Sequence, residues 1–130
     1  MFSTEISKTT FQTDFEFHQS LVSLFRKLND GHTLYFAPQC YGNLVYRQPF
    51  NIISYVGDDG NQKIGIASIN NASGIPNYYK SQYGLNLDEY VGSDIVSFDG
   101  VAALDYVIDF SNKFVGGYKD LGARFNVAVR

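Results

Sequence analysis

The stretch "DIVSFDGVAALDYVIDF", Asp94 to Phe110, decides the fold. Its first five residues are rich in β-branched and aromatic side chains and read as a strand, with Val96 and Phe98 facing inward. Asp99-Gly100 is a turn pair, because both residues tolerate positive φ. From Val101 to Phe114 the period changes, and Leu104, Val107, Ile108 and Ser111 fall along one side of a helix that Gly116-Gly117 ends. A strand that turns straight into a helix requires a mixed architecture.

Upstream, "PFNIISYV" and "QKIGIASI" are two more strands, joined by Gly57-Asp58-Asp59-Gly60-Asn61, and they make a hairpin. Between them and the deciding stretch, "NNASGIPNYYKSQYG" begins as a loop and holds a short helix from Pro76, a residue suited to a first helical turn. Downstream, "YKDLGARFNVAVR" fits either a helix or an extended strip. It reaches Arg130 with "FNVAV" still apolar and no terminating signal, so the structure is expected to continue past that point.

The N-terminal part is simpler. From Thr13 to Leu28, Phe17, Leu21, Leu24, Phe25 and Leu28 recur at spacings of three and four, the pattern of one amphipathic helix. Thr13 or Asp14 caps its start, and Gly31 is expected to take the left-handed conformation that closes its end. "HTLYFA", His32 to Ala37, then reads as a short strand bounded by Pro38. With no repeat, low-complexity tract or linker, the order of elements predicts an α+β fold. It divides into a helix-strand segment over residues 1–50 and a second part over residues 51–130, packed as one unit.

Bulk properties exclude several classes of function. At 130 residues, 45% of them hydrophobic, the chain builds one domain with its own core. Ten basic residues are scattered through a net charge of −3, so nothing marks a phosphate backbone as partner, and nucleic acid is not expected. No apolar run approaches the roughly 18 residues of a membrane span, and the start lacks the pattern of a signal peptide. Cys40 is the single cysteine, so no disulfide forms within the chain. Asn71-Ala72-Ser73 is a glycosylation sequon, a slight pointer to secretion.

The residues able to do chemistry are few. His18, His32 and Cys40 are too far apart to form a local metal-ligand set, and "GDDGNQK" lacks the spacing of a phosphate-binding loop, so no metal and no cofactor is expected. His18 reads as a partly covered helix residue. Cys40 reads as a buried small hydrophobe rather than a nucleophile, since only Arg47 offers a nearby positive charge. Tyr78, Tyr79, Tyr83 and Tyr90 fit a peptide groove or ordinary rim packing equally well. His32 stands where a helix stop meets a strand entrance and is the candidate general base, although an ordinary polar boundary residue is also found there. Asp30 is placed either to orient His32 or simply to make the Asn-Asp-Gly turn.

Two stretches carry a resemblance. "LFRKLNDGHT", Leu24 to Thr33, resembles the Leu-x-Asp-x-His-Thr segment of the C-terminal processing (tail-specific) serine peptidases, in the branch with fungal secreted members and the chlamydial protease-like activity factor. Cys40-Tyr41 is similar to the fungal members. "VGSDIVSFDGVAALDYVIDF" is similar to the strand-turn-helix of the PDZ-like domain that those peptidases carry, and "YKDLGARFN" to the fungal segment after it. The resemblance runs from about Asp14 to Asn126.

The resemblance implies a base role for His32 toward a serine, a PDZ-like part from about Asn51 to Phe114, a peptide or protein substrate and an extracellular setting. The family's serine, oxyanion hole and supporting acid lie beyond the PDZ-like region. The implied partner is therefore a C-terminal catalytic domain outside these 130 residues, without which the chain is inactive and its bare apolar surface invites self-association. Two departures stand out: no Gly-rich carboxylate-binding loop precedes a peptide-binding strand, and no activated serine is present. The alternative from another class is a stand-alone peptide-binding or regulatory module in which His32 has no catalytic task.

Overall fold

The computed structural model describes residues 8–43, 47–71 and 74–129. It is an α+β structure with four helices and two short antiparallel strand pairs. In chain order these are α1 (Asp14–Arg26), β1 (Phe50–Val56), β2 (Gln62–Ile69), α2 (Ile75–Tyr83), β3 (Ser97–Phe98), β4 (Val101–Ala102), α3 (Ala103–Phe114) and α4 (Leu121–Ala128). Single 3₁₀ turns occupy Gln39–Asn43 and Leu87–Tyr90.

The hairpin forms because β1 turns alternate residues inward, β2 buries the run Ile64 to Ile66, and the loop supplies the turn. β1 pairs β2 from Phe50↔Ile69 to Val56↔Gln62, with a bulge between Asn51 and Ile52. The tip closes on itself: Gly57 donates its amide to Asn61 O, and Gly60 takes a φ of 77°. The free side of β2 is taken up by the 92–95 segment, through Ile66 N–H to Ser93 O and Ile95 N–H to Ile64 O. Ile64, at 1% exposure, is thus held between two backbones and beneath α3.

The core is Ile64, Ala103, Val107 and Phe125, with Ile52, Ile95, Phe98 and Leu104 packed around it. Fully burying one side chain such as Ile64, Val107 or Phe125 contributes about 1.5–3 kcal/mol, and Ile66 and Leu87 are buried as well. All of this core lies beyond residue 50. α1 buries no residue fully; its first half meets Tyr35 and Tyr41, and its contacts with the part beyond residue 50 lie near its C-terminal end.

Several expectations need correction. "HTLYFA" joins no strand pair: Tyr35 turns onto α1 instead, stacking on Phe25 with centroids 5.9 Å apart, and an extended segment bound to a helix side has no backbone ladder to join. α1 is closed by Asn29, at φ 50°, while Gly31 keeps a negative φ and serves close approach, since a Cβ there would meet Gly117 O at 3.2 Å. Val96 is 82% exposed and Ile95 packs on the core in its place. The segment bonds to β2 through Ile95 and to β4 only from Ser97, so strict alternation is broken between them.

The helix after the turn starts later than its period suggests. Asp99 and Gly100 both have positive φ, 50° and 83°, and the tight hairpin they make draws Val101 and Ala102 into β4 before α3 begins. The buried seam of α3 is Ala103, Val107 and Ser111, with Leu104 beside it and Ile108 left exposed. The tail is helical: the Asp120 side chain accepts the Ala123 amide at 2.8 Å and caps α4. Cys40 is exposed, on its 3₁₀ turn, and is not a core residue.

Candidate functional site

The site is built by the end of α1. Thr13 caps the helix start, its Oγ1 accepting the Glu16 amide at 3.2 Å, and the last carbonyls are taken by Lys27, Leu28 and Asn29. After the left-handed Asn29 the chain reverses, and Asp30 holds the reversal. Its Oδ1 accepts the His32 amide at 3.0 Å and its Oδ2 accepts the Thr33 hydroxyl at 2.7 Å. The His32 amide, then the Thr33 hydroxyl, hold the Asp30 carboxyl below its ordinary range; partial burial opposes them and the His32 imidazole adds to them.

The His32 side chain is 100% exposed, with Nδ1 3.5 Å from Asp30 Oδ1. That approach favours a proton on Nδ1 and leaves Nε2, the far ring nitrogen, facing solvent. Asp30 therefore makes the turn and also stands beside the ring.

His32 borders an open groove of about 1050 Å³ lined by Leu28, Asn29, Leu34, Gly117, Tyr118 and Lys119. Next to it, and sharing Asp30, Thr33, Leu34 and Gly117, is a second groove of about 670 Å³ between α1 and α3, with walls of Val22, Phe25, Phe36, Phe110, Phe114 and Val127. Phe36 is 82% exposed and Leu34 and Phe114 are more than half exposed. No serine or cysteine side chain lines either groove among the described residues.

The other candidates lie elsewhere. His18 Nδ1 lies 2.6 Å from the Tyr35 hydroxyl, and its ring sits among Phe17, Tyr35 and Tyr41, which makes it a structural link between α1 and the extended segment. Tyr78, Tyr79 and Tyr83 pack on one another along α2, and Tyr90 meets Phe50 edge-on. The hydrogen bond with Tyr83 raises the Tyr78 hydroxyl above its ordinary range. These rings form local clusters rather than one groove wall. Among the described residues no three His, Cys, Asp or Glu side chains gather as a metal site, and no described helix is long and apolar enough to cross a membrane. Ala72 and Ser73 of the sequon lie outside the described residues.

Sequence reasoning missed Arg124. It is 7% exposed on α4 and donates from Nη1 to Asn29 Oδ1 at 3.1 Å, across 95 positions of chain, into the turn that carries His32. An arginine among the apolar residues of the tail, at position 124, is the signal the sequence offers.

No family model, curated protein or solved structure matches this chain.

Proposed function

We propose that the chain is the N-terminal portion of a serine endopeptidase, in which His32 is the general base for a serine carried elsewhere in the polypeptide, outside residues 1–130. The observation that carries this reading is the placement of His32. Its imidazole is fully exposed beside Asp30, at the edge of an apolar groove system. Exposure of a ring on a hydrogen-bonded turn suits a base that meets its partner across a cleft. The bare aromatic walls next to it suit burial beneath a further domain. The resemblance of Leu24–Thr33 and Val91–Phe110 to the tail-specific peptidases points the same way.

In the complete site, Nε2 of His32 takes the proton of the serine hydroxyl as Oγ bonds to the scissile carbonyl carbon. The imidazolium then gives that proton to the amine nitrogen as the C–N bond breaks. Asp30, 3.5 Å from Nδ1, favours the tautomer this requires. The residues from Asn51 to Phe114 act as a PDZ-like support, the substrate is a peptide or protein, and the setting is extracellular.

Casein hydrolysis tests the reading. The polypeptide encoded by the full gene should cleave casein in a manner blocked by serine-directed inhibitors, and His32→Ala should lower the rate on the order of 10³-fold or more. Activity that survives His32→Ala removes the base role. Absence of any hydrolysis favours a stand-alone binding module.

A further inference from the structure

A guanidinium placed nine-tenths out of water normally has a carboxylate beside it, because an isolated buried charge is costly. Arg124 has none among the described residues. Its partners are neutral: Nη1 donates to Asn29 Oδ1 at 3.1 Å and to Asn112 O at 3.4 Å, and Nη2 donates to Asn112 Oδ1 at 3.3 Å. Nε is buried without a partner. A side chain kept in so unfavourable a setting joins three separate elements: the turn after α1, the last turn of α3, and α4.

What it holds is the turn that carries His32. Asn29 is the left-handed residue that reverses the chain, and three positions later the His32 amide is tied to Asp30. Two close backbone approaches press the same region against the α3–α4 connection: a Cβ on Gly31 would meet Gly117 O at 3.2 Å, and one on Gly116 would meet Arg26 at 3.0 Å. These contacts set distance but carry no directional bond. The Arg124 fork supplies direction.

We infer that Arg124, acting through Asn29 and anchored by Asn112, is a positioning residue that fixes the His32 turn on the α3–α4 unit; its catalytic meaning rests on the peptidase reading above. The imidazole itself has no contact that would hold the turn from outside, being fully exposed. A general base displaced by about 1 Å loses on the order of 10²-fold in rate, so a rigid attachment of this turn matters to the reaction.

Amide hydrogen exchange on the 130-residue chain is the first arm of the test. Asn29→Gly keeps the left-handed backbone and removes the acceptor, whereas Asn29→Asp keeps an acceptor and adds the missing negative charge. The expected result is exchange at His32 and Thr33 about tenfold faster in Asn29→Gly and no faster than wild type in Asn29→Asp, with β1 and β2 unchanged in both. Arg124→Lys, which keeps the charge and loses the fork, should behave like Asn29→Gly. Unchanged exchange at the turn, or equal acceleration across β1 and β2, overturns the inference. The second arm is casein kinetics on the full polypeptide: Asn29→Gly should lower kcat about tenfold or more with KM unchanged, and Asn29→Asp should restore it. A loosened turn with unchanged kcat overturns the positioning role in catalysis. A wild-type polypeptide with no hydrolysis counts against the peptidase reading alone, and the clamp is then judged by exchange.

Discussion

Gly116→Ala tests how the His32 segment is attached to the core. The added Cβ would lie 3.0 Å from Cα, Cβ and O of Arg26, two of which belong to the backbone of the last turn of α1 and cannot swing aside. Forcing a methyl group into such a contact costs about 1–3 kcal/mol. Against this, replacing glycine restricts the unfolded chain and returns about 0.4–1 kcal/mol, since Gly116 is not in the left-handed region. The net expectation is a loss of about 0.5–2 kcal/mol, or roughly 2–10 °C in Tm for a domain of this size. Urea melts measure the loss, and amide chemical shifts locate it: the changes should reach Arg26 through His32 as well as the residues around position 116. Gly100→Ala is the control. Its Cβ meets nothing within 4 Å, but its φ is 83°, so it should lose about 1 kcal/mol through backbone strain while leaving the His32 turn undisturbed. A stabilised Gly116→Ala protein, or shifts confined to the 114–118 region, would refute the close contact and with it the attachment.

Three further outcomes are expected. Ile64→Ala should cost about 2–5 kcal/mol in urea melts, because Ile64 is the most buried aliphatic residue of a small core and its loss leaves a cavity among Ala103, Val107 and Phe125. His32→Ala should leave stability within about 0.5 kcal/mol by thermal unfolding, since its ring is fully exposed, and a large loss would make His32 structural. Asp30 has its pKa lowered in the folded state from the ordinary 3.8, chiefly by the His32 amide. The stabilisation it gives the turn is therefore complete above pH 3.8 and is lost as pH falls through the lower folded value. NMR titration of the His32 and Thr33 amides should show a transition below pH 3.8 that Asp30→Asn abolishes, and a midpoint above 3.8 would contradict the turn geometry.

The parts of the fold that sequence made legible are those governed by neighbours in the chain. The spacing of Phe17, Leu21, Leu24 and Phe25 describes α1, Thr13 caps it, and the Gly57–Asn61 loop closes β1 on β2, all through contacts within a few residues. Pro76 marks α2 for the same reason. What escaped depends on partners far along the chain. "HTLYFA" has the composition of a strand, but no strand is beside it to pair with, and Tyr35 is drawn to His18 and Phe25 instead. Val96 points outward because Ile95 is bound to Ile64, thirty-one positions earlier, a register that alternation within "DIVSF" cannot reveal. Asn29 rather than Gly31 takes the left-handed conformation, and Gly31 instead lies against Gly117, far along the chain. The candidate site divides along the same line. His32 and Asp30 are two residues apart and could be singled out together, whereas the link from Arg124 to Asn29 exists only after α4 has packed on α3.

Two measurements on the 130-residue chain bear on the proposed partner. On the proposed reading, with the serine outside residues 1–130, the chain by itself should hydrolyse no casein, and inhibitor-sensitive hydrolysis would overturn that reading. Its exposed Phe36, Leu34 and Phe114 should promote concentration-dependent self-association in sedimentation experiments, and Phe36→Ser should weaken it.

The central claim is that His32 activates a serine outside residues 1–130. Fluorophosphonate probes react with activated serines and not with ordinary ones, so labelling of the full polypeptide followed by peptide mass spectrometry tests it directly. Label is expected on one serine outside residues 1–130 in the wild-type protein, and is expected to be lost in the folded His32→Ala protein. No label on the wild-type polypeptide, or label that persists undiminished in His32→Ala, would contradict it.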